Sequence, residues 1–159
     1  MAIIFRLLTA DQLDLIRPLW EELNRHHATL PTPFAPEIAA RSFESRLQAF
    51  RDKAVSGRLR VEVAGAAAGE PPVAYCVASL SPDGVGEVDS LFVAPLHRRT
   101  GVGSELLQRA LDWLRAAGAV TQRVIVLYAN AEAESFYRRF GFHPRNIELE
   151  THRLGSARS

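Results

Sequence analysis

The amino-acid sequence predicts an α+β fold, a mixed and mostly antiparallel central sheet flanked by helices, in the order β-α-α-β-β-β-α-β-α-β. Two helix-periodic stretches come first, and three strand-like runs separated by turn residues follow them. A strongly periodic helix then precedes a short strand, a helix and a strand. At 159 residues, 47% of them hydrophobic, the chain is long enough to bury one real core. The expectation is a single domain over residues 1–154 with a flexible tail over 155–159.

Ile3 to Leu8 reads as the first strand. Thr9-Ala10-Asp11-Gln12 has the form of a capping box. The helix it opens carries Leu13, Ile16, Leu19, Trp20 and Leu23 on one face, with Pro18 as an interruption that kinks it. Pro31 to Pro36 reads as a loop, because three prolines in six residues cannot form a regular helix. A second helix is expected from Glu37 to Val55, with Phe43, Leu47 and Phe50 on one side. Arg58–Ala64, Val73–Leu80 and Gly86–Val93 read as a meander, joined by the turns Gly65–Pro72 and Ser81-Pro82-Asp83-Gly84. The next helix begins near Ser104 and turns Leu106, Leu107, Ala110, Leu111 and Leu114 toward the core, with Gly118 as its terminator. Arg123–Leu127 is expected as a short buried strand, Ala131–Phe140 as a helix and Ile147–Thr151 as the last strand.

The bulk properties exclude several classes. A net charge of +1 argues against a general binder of nucleic acid or of membrane surfaces. No apolar run reaches membrane-spanning length, and the first residues are too few for a signal-peptide core, so a cytoplasmic location is expected. The single cysteine, Cys76, excludes an intramolecular disulfide and a cysteine-rich zinc site. It reads as a buried structural thiol.

The most informative segment is Arg98-Arg99-Thr100-Gly101-Val102-Gly103, between a strand and a helix. Glycines separated by one residue let backbone N–H groups turn toward one point. The helix N-terminus behind them adds unpaired donors and roughly +0.5 of a charge. A dinucleotide fingerprint would need glycine where Leu106 stands, and no Gly-Lys-Ser/Thr tripeptide is present for a Walker loop. What remains is Arg-x-x-Gly-x-Gly. This loop resembles the acetyl-CoA-binding motif of the GNAT superfamily of N-acetyltransferases. A second motif, Asn130 to Phe142 (N-A-E-A-E-S-F-Y-R-R-F-G-F), resembles the same family's later segment. Asn130 lies seven residues before Tyr137, and Gly141-Phe142 follows the tyrosine. The resemblance is close over about residues 73 to 144 and holds only in outline elsewhere.

The resemblance implies a GNAT-like fold and acetyl-CoA as cosubstrate, with no metal. It implies that Arg98, Arg99, Thr100, Gly101, Val102, Gly103 and Ser104 hold the pyrophosphate. Leu91, Phe92 and Val93 would hold the pantetheine and acetyl carbonyl, with the N–H of Val93 meeting the oxyanion. Asn130, Ala133 and Phe136 would line the thioester end, and Tyr137 would be the general acid for the departing thiolate. Asn130 also reads as a helix N-cap.

An attacking amine with an ordinary pKa of about 10 must lose a proton first. Glu87 and Asp89 stand two apart on a strand, so their side chains share a face. Either could be the base, directly or through water, with Glu87 slightly preferred. Tyr75 and Tyr128 read as packing or substrate-wall residues. His26 and His27 point about 100° apart on a helix and cannot form an i, i+4 metal pair. They read as exposed polar residues or, with Phe34, as walls of an acceptor pocket, which the family builds from its first two helices and their connection. The expected activity is acetyl transfer to a primary amine of a small molecule or peptide in a ternary complex. The rival is a non-catalytic acyl-CoA-binding or sensor domain. Possible homodimerisation through late strands is implied by the resemblance alone.

Overall fold

The computed structural model describes residues 2–152. The predicted tail at 155–159 and the domain's end at 154 lie outside the described residues. The elements are β1 (Ile4–Leu7), α1 (Arg17–His27), α2 (Ala35–Ala39), α3 (Phe43–Ser56), β2 (Arg58–Gly65), β3 (Ala74–Leu80), β4 (Val85–Val93), α4 (Val102–Ala116), β5 (Thr121–Val124) and α5 (Ala131–Arg138). The five strands form one sheet in sequence order. Neighbours are antiparallel from β1 to β4, and β5 joins β4 in parallel.

Two apolar layers cover the sheet. On one face, α1 and α3 place Leu19, Trp20, Phe43, Leu47 and Phe50 against Val61, Val63, Tyr75, Val77 and Phe92. On the other, α4 places Leu106, Leu107, Ala110, Leu111 and Leu114 over Ala74, Cys76 and Ala78. Those small β3 side chains let a helix with large leucines lie close to the strands. Cys76 is buried in this layer, as expected.

Several boundaries differ from the sequence expectation. A 3₁₀ stretch, Ala10–Ile16, precedes α1. The Thr9 N–H donates to Gln12 Oε1 at 3.0 Å, so the predicted box does form at this start. Pro18 then falls in the first turn of α1 and kinks nothing, because an N–H there has no helical acceptor to lose. The helix expected over 37–55 is two. The first ends at Ala39, and Ser42 caps the second, its Oγ accepting the Ser45 N–H at 3.2 Å. The short α2 also takes in the end of the stretch read as loop.

The strand predicted at 123–127 instead spans Thr121–Val124, and Ile125 is 77% exposed. Its pairing with β4 ends at Val88↔Val124. The strand predicted at 147–151 does not form, and Ile147 and Leu149 stand in water. Alternation alone gave that segment an apolar side, but no sheet edge receives it.

Phe50 is fully buried in α3, with the Arg46 guanidinium 4.6 Å above its ring. Phe50→Ala should lower unfolding free energy by about 3–5 kcal/mol in urea titration. A loss below about 1 kcal/mol would show that this layer contributes little to the fold.

Candidate active site

The site grows from an irregularity in β4. Val77 of β3 pairs with Ser90, yet Ala78 pairs with Val88, so Asp89 is an extra residue. This β-bulge reverses the facing of everything after it. Val88, Leu91 and Val93 lie on the α4 side, whereas Phe92 lies under α1 and α3. The Tyr75 hydroxyl and Ser90 Oγ hydrogen-bond at 2.7 Å within that second layer, so Tyr75 is a core residue and not a substrate wall. An Arg46 guanidinium N–H donates to the carbonyl of Asp89.

Beyond the bulge, β4 has no partner on its β5 side. The Ala94 N–H donates to Val73 O at 2.8 Å, toward β3. Alternation therefore turns the N–H groups of Leu91 and Val93 the other way, into the gap where β5 has diverged. The carbonyl of Val93 accepts from Arg98 Nε at 3.1 Å, and the Arg98 guanidinium also lies 5.4 Å from the Phe92 ring centre. Arg98 thus braces the end of β4 as well as adding charge there. Arg99 is exposed, with φ +58°.

The helix behind is bare at its start. Gly101 occupies the N-cap at φ +87°, a conformation other residues adopt only with strain, and no side chain caps α4. The first helical bond runs from the Glu105 N–H to Gly101 O. The N–H groups of Val102, Gly103 and Ser104 therefore have no helical acceptor. A Cβ on Gly103 would meet Val93 Cγ2 at 3.1 Å and Phe136 Cζ at 3.9 Å. The missing side chain is what lets β4, α4 and α5 approach one another here.

From α5, Asn130 caps the helix, its side chain accepting the Ala133 N–H at 3.3 Å. Phe136 packs edge-on against Tyr137, with centroids 5.2 Å apart. Tyr137 is buried, and its hydroxyl has no hydrogen-bond partner among the described residues, yet it is not one of the enclosed unpartnered atoms. Burial pushes this phenol up, and the nearby Cys76 and Tyr75 add to the effect, so it stays protonated. Tyr128, by contrast, is 78% exposed beyond β5.

The acids lie on the opposite face, beside α3. Glu87 Oε1 accepts from Arg123 Nε at 2.8 Å, and its Oε2 is held by Lys53 Nζ. Lys53 also grips Asp89 Oδ1, while Asp89 Oδ2 is enclosed without a partner. Burial would raise the Glu87 carboxyl, but its neighbour Asp89, the hydrogen bond and charge of Lys53 and the hydrogen bond of Arg123 pull it below the ordinary carboxylate range. Burial and the neighbouring Glu87 push Asp89 up to about 6, against the pull of Lys53 and Ser79. Lys53, the chain's single lysine, went unassigned in the sequence because it lies on a helix 36 residues before Asp89. A polar cavity of about 280 Å³ opens beside Lys53, Ser79, Glu87 and Arg123.

The residues expected to line an acceptor pocket fall in two places. His26 and His27 end α1, with ring centres 6.1 Å apart. Phe34 stacks on His152 at 5.5 Å, tying the chain before α2 to the segment beyond α5. No cluster of three metal-binding side chains is present among the described residues. No helix among them is long and apolar enough to cross a membrane.

A sequence model of the Acetyltransferase (GNAT) family matches residues 19–142. The chain belongs to the GNAT acetyltransferase family. It is 32% identical over 62 residues to the uncharacterized N-acetyltransferase YobR of Bacillus subtilis strain 168. That match takes in 39% of this chain and spans 25% of the relative's length. Among solved structures, AAC(6')-Iy in complex with the bisubstrate analog CoA-S-monomethyl-acetylneamine superposes with a TM-score of 0.68 at 16% identity, covering 97% of this chain and all of that one. The aminoglycoside 6'-N-acetyltransferase AAC(6')-IG of Acinetobacter haemolyticus gives 0.65 at 18% identity, over 98% of this chain and 100% of its own. At these identities the structural likeness is one of fold. It agrees with the predicted α+β architecture.

His27 supplies a pH test. Burial, then the charges of His26 and Arg41, pull it down to about 4 from an ordinary 6.5. Between those values the unfolded chain binds a proton that the folded chain refuses, so this group makes stability fall as pH drops from 6.5 toward 4. Asp89, shifted upward, acts in the opposite sense. His27→Gln should therefore flatten the acid-side loss in urea midpoints measured at pH 7 and pH 4.5. Equal losses in variant and parent would show that His27 does not titrate as its surroundings require.

Proposed function

We propose that this protein is an acetyl-CoA-dependent N-acetyltransferase that moves an acetyl group to a primary amine of a small molecule or peptide by direct attack in a ternary complex. The observation that carries the reading is the convergence at the divergence of β4 and β5. The N–H groups of Leu91 and Val93 turn away from β3, α4 starts uncapped, and Val93 and Phe136, the latter packed on Tyr137, border Gly103. These groups fit acetyl-CoA, which supplies the acetyl group on a thioester. Val102, Gly103 and Ser104 would bind its phosphates through backbone N–H groups, with Arg98 and Arg99 adding positive charge and Thr100 and Gly101 shaping the loop. The N–H of Val93 would hold the negative charge that develops on the carbonyl oxygen. Asn130 fixes the start of α5, and with Ala133 and Phe136 it would border the thioester end. Phe92 contributes by packing from the other layer, since its side chain lies beneath α1.

The geometry favours Asp89 over Glu87 as the base. Both Glu87 oxygens are engaged by cations, and cations on both oxygens make a carboxylate a poorer proton acceptor. Asp89 keeps an unpartnered oxygen and sits at the bulge, nearer the gap. Tyr137, kept protonated by burial, would donate its hydroxyl proton to the departing sulfur. The acceptor would enter between α1, α2 and β4, where His26, His27 and Phe34 stand. The solved neighbour holding a CoA–aminoglycoside analog supports a compact polyamine as one class worth testing.

The test is CoA thiol release from acetyl-CoA with neamine, spermidine, lysine and a free-N-terminal peptide. Asp89→Asn and Tyr137→Phe should each lower kcat by about 10²-fold or more for the amine that reacts. Unchanged turnover in either variant removes that residue's role. Tight acetyl-CoA binding with no release for any amine would favour the sensor reading.

A further inference from the structure

Lys53 belongs to none of the motifs, yet its ammonium is the only side-chain cation touching the Asp89 carboxylate among the described residues. It reaches across from α3 and bridges Asp89 and Glu87 on either side of Val88. Asp89's side chain has no exposure, whereas that of Lys53 remains 36% exposed at the edge of the polar cavity. Around Asp89 stand Lys53 from α3, Glu87 on its own strand and Ser79 from β3, with the Cys76 thiol across the sheet in the α4 layer. Arg46 binds the Asp89 carbonyl, and Arg123 from β5 reaches Glu87 alone. Of these, only Lys53 places a full positive charge on the carboxyl itself.

We infer that Lys53 is a positioning residue that keeps Asp89 ionised beside a second carboxylate and so sets the lower pH limit of catalysis. The inference rests on Asp89 as the base. Two carboxyls this close disfavour double ionisation, and an opposite charge in contact reverses that by about 1–3 pKa units. Removing the charge while keeping the length of the side chain should therefore leave Asp89 protonated to higher pH. The enzyme would still fold and bind acetyl-CoA but would need more alkaline solution to work.

The experiment follows the Asp89 carboxyl directly in ¹³C-aspartate-labelled protein, with the resonance assigned by its loss in Asp89→Asn. Lys53→Met should raise the titration midpoint by about one pH unit or more, and Lys53→Arg should bring it back near the parent value. Arg123→Gln should leave it in place, because that cation touches only Glu87. The acid limb of kcat/KM, measured with the most reactive amine of the panel, should move with the midpoint in each variant. Should Lys53→Met leave the midpoint unmoved while its melting temperature and acetyl-CoA affinity match the parent, the inference is overturned and Asp89 may still be tested as base. If Lys53→Met unfolds, Lys53→Gln is the substitute, judged by the same criterion. If the midpoint moves and the acid limb does not, Asp89 is not the base and the inference falls with it.

Discussion

A single extra residue in β4 organises this molecule's working region. Strict alternation from Glu87 would put Asp89, Leu91 and Val93 on one face, and Val88, Ser90 and Phe92 on the other. With Asp89 as a bulge, the strand after it is turned over. Leu91 and Val93 join Val88 against α4 and α5, and Phe92 closes the layer beneath α1. The bulge also bends β4 where its pairing with β5 stops at Val88 and Val124. One inserted residue thus both aims the backbone donors and opens the gap they face. Arg46, anchored over Phe50, fixes the bulge by holding the Asp89 carbonyl.

The buried acids separate into two kinds. Glu62 lies under α4 with Oε2 accepting from Arg60 and Oε1 from Arg109, each at 2.9 Å. An arginine engages each of its oxygens, so this carboxylate ties β2 to α4. Glu87 resembles it, with one cation on each oxygen. Asp89 differs, because its second oxygen is enclosed and empty-handed. Leaving a buried polar atom unpartnered costs about 1–3 kcal/mol. The same contrast is why the proposed reaction uses Asp89 as base in place of Glu87.

Much of the fold was legible because its apolar spacing is local. The meander, α4 with its Gly118 terminator and the capped α5 follow from periodicity and turn residues within a few positions. The failures were matters of tertiary partnership. Ile147 to Thr151 alternates like a strand but has no edge to join. Residues 37–55 carry a helical pattern throughout, and Ser42 acts as a cap only because the chain turns there. The bulge left one trace in the sequence: Val88 and Leu91 are apolar at a spacing of three, where a regular strand face would step by two. Lys53 left none beyond being the sole lysine, since its meaning depends on α3 lying across β4.

The two proton-handling groups of the proposed reaction lie on opposite faces of the sheet, Asp89 beside α3 and Tyr137 beside α4. A continuous sheet would separate them by its own backbone. Here the paired backbone ends after Val88 and Val124, where β4 and β5 part. Asp89 is enclosed on the α1–α3 side, so an amine there would pass its proton to it through a relay, while a thiolate on the α4–α5 side would depart toward Tyr137. Proton removal and proton delivery are thereby kept apart in space, and Tyr137, protonated throughout the neutral range, cannot compete with Asp89 for the amine's proton. The cation on Asp89 then has a defined effect. It opposes the rise that burial imposes on this carboxyl and so favours its ionised form.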